Sequence, residues 1–326
     1  MSSTSGNPSK RARTEERVLT RHPTLWFDDG SIILNVETTS FCVHRSTLCS
    51  HSSVFADMFS LPQLSTQDEQ DGCPVVDMPD NAEDFTCLLR VLYEPYIFLD
   101  DLNETSYTGE NLRADFNTAC RVLRVSTKYI MPGIRNRSIK QIERHLPITF
   151  PAFDIREKTN AYRTLKCSDL VHAIGVARET GVQWILPMIF YRLCQYNVDS
   201  IFNAKNYAQL SKEDIRAWMK GREALLGAMV LAKPLCISIC GRCIDFTGRD
   251  FLKPASELIV AQTSLFSRAV LGLINVNNVF PNGCKFCIES LTTSAAARRE
   301  EAWEKLPGYF DLPPWAELLA ARASAS

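Results

Sequence analysis

No long apolar run interrupts this 326-residue sequence. Its longest unbroken apolar stretches, such as WILPMIFY and LLGAMVLA, fall far short of the roughly 20 residues a membrane-spanning helix needs. The N-terminus, MSSTSGNPSKRARTEER, lacks the apolar core of a secretory signal. The chain is therefore expected inside the cell, cytoplasmic or nuclear, with no membrane partner. Charge of one sign is not in excess either. The 36 Lys and Arg stand against 37 Asp and Glu, for a net charge of −1. That balance argues against a nucleic-acid binder working by bulk electrostatics, although a local basic patch is compatible with it. GxGxxG, GxxxxGKS/T, HExxH and GxSxG are all missing, as is any repeat of solenoid period. His145 and His172 fall in helical patterns with no paired carboxylate or nucleophile beside them. Asp28-Asp29 and Asp100-Asp101 are adjacent pairs whose members point in different directions. A catalytic site needs several groups in complementary roles, so no enzyme is expected and no catalytic residue is assigned.

What is present fits an intracellular globular protein of about two domains, 45% hydrophobic and 22% charged. Twelve cysteines in such a chain suit buried thiols and metal ligands better than disulfides. Residues 1–20 hold almost nothing that could be buried and are expected to be a disordered polar tail. Lys10, Arg11 and Arg13 in it are either a nuclear-import signal or a solvated charge cluster.

Order is expected from His22-Pro23. Ile32, Ile33, Leu34 and Val36 form a β-rich run, Glu37 to Ser40 a polar turn, and Phe41 and Val43 resume the alternation of a hairpin. Ser46 is positioned to cap one helix striped by Leu48, Ser52, Phe55 and Phe59. Residues 60–72 predict a loop, and Val75, Val76 and Met78 a short strand. Asp80, with Glu83 three residues on, predicts a capping box before a helix striped by Phe85, Leu88, Leu89 and Leu92. Residues 95–113 predict irregular chain. Helical stripes return at Phe116, Ala119, Cys120 and Leu123 and at Ile139, Ile142 and Leu146. Pro147 and Pro151 mark a boundary.

The following segment predicts helices only. Ser168 or Asp169 caps a helix ended by Gly181. A second helix carries Ile185, Leu186, Ile189, Phe190 and Leu193, with a kink at Pro187. Ser211 with Asp214 opens a third, striped by Ile215, Trp218, Met219, Leu226, Met229 and Val230 and stopped by Pro234.

The order hairpin, His-Arg, helix, short strand, capped helix, helical pair resembles a BTB/POZ domain. The carriers are FCVHRSTLCSHSSVFADMF and CPVVDMPDNAEDFTCLLRVLY. Phe41, His44, Arg45, Leu48, Ser52 and Phe55 stand at the offsets of the family's strand-to-helix hallmark. More narrowly, HPTLWFDDGSIILNVE, FSLPQ and LPGYFDLPPWAEL resemble the large BTB families of mushroom-forming fungi.

The resemblance implies an α+β fold. A BTB/POZ domain over 21–148, a small sheet flanked by helices, would be followed by a helical extension over 149–233 and a cysteine-containing C-terminal segment over 234–326. It implies a homodimer whose self-association or core positioning rests on Phe41, His44, Arg45, Leu48 and Phe55. Relatives often place an acid in the preceding strand to pair the basic residue. Here Ser31 holds that position, with Asp28 and Asp29 just upstream. The plainer role for His44 and Arg45 is local capping and hydrogen bonding.

Two CxxC pairs, Cys240 with Cys243 and Cys284 with Cys287, could complete a closed, structural Zn(Cys)₄ site. Forty residues separate them, against about 15–20 in a compact ribbon. A helical pattern from Leu258 to Leu273 would bring them together, and Cys236 could substitute as a ligand. The same four could equally be buried thiols. Cys42, Cys49, Cys87, Cys120, Cys167 and Cys194 fall in or beside apolar stripes as core.

Three functions compete. The first is an interaction adaptor that dimerises and docks a cullin and an unknown client for ubiquitin transfer. The second is a transcriptional or chromatin regulator with a zinc-stabilised module. The third is a structural dimer with no ubiquitin link.

Overall fold

The computed structural model describes residues 18–61, 69–94, 109–159, 165–231, 271 and 284–325. The chain divides into two compact units, residues 1–94 and 95–326.

The first unit is built on five strands: β1 (Thr20–Trp26), β2 (Ile32–Val36), β3 (Thr39–Val43), β4 (Glu69–Gln70) and β5 (Cys73–Met78), in the order β1-β3-β2-β5-β4. Between β2 and β5 β-branched and aliphatic side chains dominate, so β2 is buried along all five residues. It pairs antiparallel with β3 and parallel with β5. A strand covered on both faces shows a continuous apolar run and not an alternation. Its one polar residue, Asn35, is held on both sides. Its amide donates to Asp77 Oδ1 at 3.1 Å, and its carbonyl accepts from Ser40 Oγ at 2.8 Å.

The β2–β3 hairpin turns in two residues, Glu37 and Thr38, tighter than the four-residue turn expected. Glu37 adopts φ of 50°, the left-handed region that tight hairpins need. Strand β1 has no counterpart in the sequence reading. It contains Pro23, and Leu25 is its one buried residue, so it shows neither alternation nor a clean β-propensity. An edge strand tolerates both, and β1 pairs parallel to β3 with a bulge.

The expected single helix from Ser46 is two helices, α1 (Arg45–His51) and α2 (Ser53–Ser60). His44, not Ser46, is the N-cap of α1, and it makes no side-chain cap bond. Ser52 breaks the run with φ −140° and ψ 119°, and its hydroxyl accepts from Phe55 N to cap α2. The apolar spacing continues across the break, which is why Leu48, Phe55 and Phe59 are all buried. Helix α3 (Ala82–Tyr93) is capped by Asn81, whose Oδ1 accepts from Glu83 N and Asp84 N. Asp80 does not serve. The Glu37 carboxylate reinforces this end by accepting from Ala82 N at 3.0 Å, an anion at the positive end of the helix dipole. Phe85, Leu88, Leu89 and Val91 are buried from α3, while Leu92 is half-buried.

In the second unit the described elements are helices: α4 (Gly109–Lys128), α5 (Pro132–His145), α6 (Phe150–Thr159), α7 (Cys167–Thr180), α8 (Leu186–Leu193), α9 (Val198–Phe202), α10 (Lys212–Leu231), α11 (Lys285–Tyr309) and α12 (Trp315–Ser324). Residues 109–113, expected to be irregular, open α4. Helix α7 starts two or three residues earlier than expected, capped at Lys166, and Asp169 works from inside it, accepting from Lys166 N at 2.8 Å. Gly181 ends it at φ 74°. Pro187 sits in the first turn of α8, where its missing N–H costs nothing, so it starts a helix and does not kink one. Ser211 caps α10 by accepting from Asp214 N. The buried face of α10 carries Ala217, Trp218 and Leu225, and Met219 is 55% exposed. Gly221 on that face meets the buried Phe310 ring, where a Cβ would stand 2.0 Å from ring carbons.

Candidate functional site

The strand-to-helix joint collects the residues singled out in the first unit. Phe41, Leu48 and Phe55 are fully buried. Phe41 leaves β3 toward Phe85 of α3, ring centroids 6.0 Å apart, and stacks with His22 at 5.2 Å. Partial burial and the nearby Arg90 lower the pKa of His22, favouring its neutral ring. Its Nδ1 accepts from the Leu25 and Thr24 backbone N–H groups. These contacts fasten β1 to the sheet.

His44 is held on both ring nitrogens. Nδ1 lies 3.0 Å from the Tyr93 hydroxyl, and Nε2 lies 3.2 Å from Asp29 Oδ1. The same hydroxyl accepts the His44 backbone N–H at 2.9 Å. A phenol that accepts from the backbone has its own proton free to give to Nδ1, which leaves Nε2 protonated and facing Asp29. Phe27 packs against both His44 and Tyr93. Arg45 reaches the end of α2: one Nη2–H donates to Phe59 O at 2.6 Å, and the guanidinium lies 5.3 Å from the Phe59 ring centre. A cation on a terminal helix carbonyl is favoured by the helix dipole. Arg45 thus ties the first residue of α1 to the last turn of α2 and fixes the bend at Ser52. Ser31 accepts from Arg45 N at 2.9 Å. The acidic partner at the joint is Asp29, on His44, and Ser31 holds the arginine's backbone. Tyr93 was not legible as part of this joint, because it lies 49 residues from His44 and no local spacing links them.

The C-terminal cysteines divide. Cys240, Cys243, Cys236 and the helical pattern from Leu258 to Leu273, apart from Leu271, lie outside the described residues. Cys284 is the N-cap of α11 and Cys287, one turn on, is fully buried. Among the described residues no group of three or more His, Cys, Asp or Glu is placed to hold a metal ion. Cys42, Cys120, Cys167 and Cys194 are buried, whereas Cys49 and Cys87 are half-buried and not full core residues.

His145 corrects the expectation that no carboxylate lies near it. It is 3% exposed on α5, and its Nε2 stands 3.8 Å from Asp115 Oδ2 of α4. Gln141 Nε2 donates to that same carboxylate oxygen. Burial lowers the His145 pKa, with Arg156 and Arg144 adding to the effect and Asp115 opposing it.

The C-terminal helix docks on the helical pair. Arg322 of α12 donates to Glu143 of α5 at 2.5 Å, and Trp184 Nε1 donates to the same carboxylate at 2.9 Å. Arg135 of α5 donates to Ala325 O at 3.0 Å.

Residues 29–145 match the model of the BTB/POZ domain. The chain thus contains a BTB/POZ domain, whose matched residues include β2, β3, β5 and α1 through α5. No curated protein and no solved structure matches the chain. BTB/POZ domains mediate self-association and partner binding, and they are typically interaction modules and not enzymes. No described helix is long and apolar enough to cross a membrane.

Proposed function

We propose that this chain is a protein–protein interaction adaptor, cytoplasmic or nuclear, that self-associates through its BTB/POZ domain and serves as a substrate receptor for a cullin-type ubiquitin ligase. The match over residues 29–145 carries this reading. The joint supports it, since Arg45 ties α1 to α2 and His44 ties the start of α1 to Tyr93 of α3, a scaffolding role. The helices that follow the match would present the client. The stretches HPTLWFDDGSIILNVE and LPGYFDLPPWAEL support kinship with the BTB families of mushroom-forming fungi. Cys284 and Cys287, one helical turn apart at the start of α11, support a structural zinc shared with Cys240 and Cys243.

Native mass spectrometry of the purified chain, with and without a chelator, reports subunit number and metal together. A homodimer that loses one zinc per chain to the chelator is the expected result. A monomer at micromolar concentration would overturn self-association, and a metal-free chain would return the CxxC pairs to plain thiols. Tagged chain should then retain a cullin through stringent washes. A cullin lost at the level of an unrelated control would overturn the receptor role.

A further inference from the structure

The chain between α11 and α12 is pinned at one end only. Phe310 is fully buried, its ring centroid 5.4 Å from that of Phe190, and it fills the space over Gly221 that a Cβ would need. Asp311 to Pro314, which follow, are exposed or half-buried. Asp311 holds left-handed backbone at φ 54°, and Leu312 N bonds back to Pro307 O at 3.1 Å. Pro307 lies inside α11 with Gly308 beside it, so the turn that carries this reversal is a weak one. Leu312 and Pro313 each precede a proline, which favours extended backbone. The connection is thus a stiff segment entered through one left-handed residue. Turning Asp311 into the extended region, which an L-residue prefers, would swing α12 off its own groove. The surface pair Lys220–Asp311 at 2.6 Å opposes that motion only weakly.

Helix α12 is seated by few side chains. Trp315 stacks on Trp303 of α11, centroids 4.9 Å apart and rings 6° from parallel, and its Nε1 donates to Trp303 O at 2.7 Å. Leu318 is 4% exposed. Arg322 reaches both oxygens of Glu143 on α5, at 2.5 and 3.3 Å, and lies 5.7 Å from the Trp184 ring centre. Ala316, Glu317, Ala320, Ala321 and Ala323 face solvent. Anchors at i, i+3 and i+7 are how an amphipathic helix fills a groove. All of these anchors contact residues that precede the hinge, so a second copy of the chain carries the same groove.

We propose that the groove of α5 and α11 is an interface between two copies of this chain, each seating its α12 on the other. A short hinge under strain favours such an exchange, and two reciprocal exchanges close a symmetric dimer. Each Glu143 then receives Arg322 of the second copy. The contacts are the same in both arrangements, which differ in the backbone of residues 311–314 and in their dependence on protein concentration. The exchange uses none of Phe41, His44, Arg45, Leu48 and Phe55, so it stands or falls apart from self-association through those residues.

Charge reversal tests it in the full chain. Glu143→Arg and Arg322→Glu each set like charges against one another when α12 stays in its own groove. In a one-to-one mixture, exchange seats the altered helix of one chain in the altered groove of the other, and the unaltered helix in the unaltered groove. The mixture, unfolded and refolded together, should show a denaturant midpoint above that of either variant alone. A transition that is the plain superposition of the two would overturn the exchange. A second measurement keeps the natural charges. Isotopically light chain with benzoylphenylalanine in place of Leu319 is refolded at high concentration with heavy unaltered chain and irradiated. Light α12 peptides joined to heavy peptides from 132–145 or 183–185 are expected. Light peptides joined only to light ones would overturn the proposal even if either charge variant failed to fold.

Discussion

Among the described residues of the first unit the buried polar side chains are Asn35, Ser40, Ser52 and Asp84, all short. In the second unit the buried set includes Arg192, Arg299, Asp169, Asp214 and His145. Exposed ion pairs occur in both units, Lys220–Asp311 and Lys305–Glu301 among those of the second, but the second also holds shielded ones. Arg21–Asp71 of the first unit lies at the surface, with side chains 55% and 57% exposed. Arg299–Asp154 and Arg322–Glu143 of the second are largely shielded from water. Surface pairs contribute little, while a shielded charge that loses its partner is expensive. The sheet-bearing unit is thus held by hydrocarbon and backbone pairing, and the helical unit is held in part by charges that must stay matched. Each unit should fail in its own way.

The largest effect is expected where a charge enters the hydrocarbon unit. Leu48 is fully buried, and Leu48→Asp would place an unpaired carboxylate there at a cost of more than about 4 kcal/mol. Hydrogen exchange at the β2 and β3 amides should lose its protection. Protection at the level of the unaltered chain would show that α1 is not part of the core that holds the sheet.

In the second unit the damage comes from removing a charge. Arg299 donates through Nε to Leu271 O, pairs with Asp154 through Nη1, and lies over the Phe150 and Phe153 rings. Arg299→Met removes the shielded guanidinium that faces Asp154 and should cost about 3–5 kcal/mol. Adding Asp154→Leu should restore most of that loss, since replacing both partners by apolar groups is often neutral. A double variant no better than the single one would locate the cost in the lost aromatic packing of the guanidinium, and the contrast between the units would narrow.

Acidification sharpens the same contrast. The His145 pKa lies below its unfolded value of 6.5, chiefly through burial. Between the lowered value and 6.5 the unfolded chain binds more protons than the folded one, so stability rises with pH across that window. It should be complete above 6.5 and decline as pH falls below it. Denaturant midpoints measured from pH 7.5 to 5 should show this decline, and His145→Phe should flatten it. A midpoint that stays level down to pH 5 in the unaltered chain would mean that Asp115 offsets the burial of the ring.

These contrasts explain what could be seen in the sequence. The hairpin, the β5 strand, the Gly181 stop and the Ser211 cap were legible because each rests on residues within a few positions of one another. The BTB/POZ resemblance was legible because six residues from Phe41 to Phe55 keep fixed offsets. The break at Ser52 was not, because two helices meeting at a bend preserve the apolar period of one. Strand β1 was hidden because an edge strand buries a single side chain and accepts a proline. The partners of His44, Arg299 and Glu143 were hidden for a different reason. They lie 49, 145 and 179 residues away in the chain, and charge matching over such separations leaves no periodic trace.

The smallest effect has the opposite sign. Helix α4 ends with Ile130 N bonded to Thr127 O and Met131 N bonded to Ser126 O. That is the pattern in which glycine usually holds the left-handed position. Ile130 holds it here at φ 48°, a costly conformation for a β-branched residue. Its side chain is 58% exposed, so little burial compensates. Left-handed backbone costs an L-residue about 1–2 kcal/mol, and glycine returns roughly half of that as extra freedom in the unfolded chain. Ile130→Gly should therefore stabilise the helical unit by roughly 0.5–1 kcal/mol, read as a raised denaturant midpoint with an unchanged slope. A lowered midpoint would mean that the exposed isoleucine is covered in the folded protein, and a partner surface at the α4–α5 turn would then be the place to look.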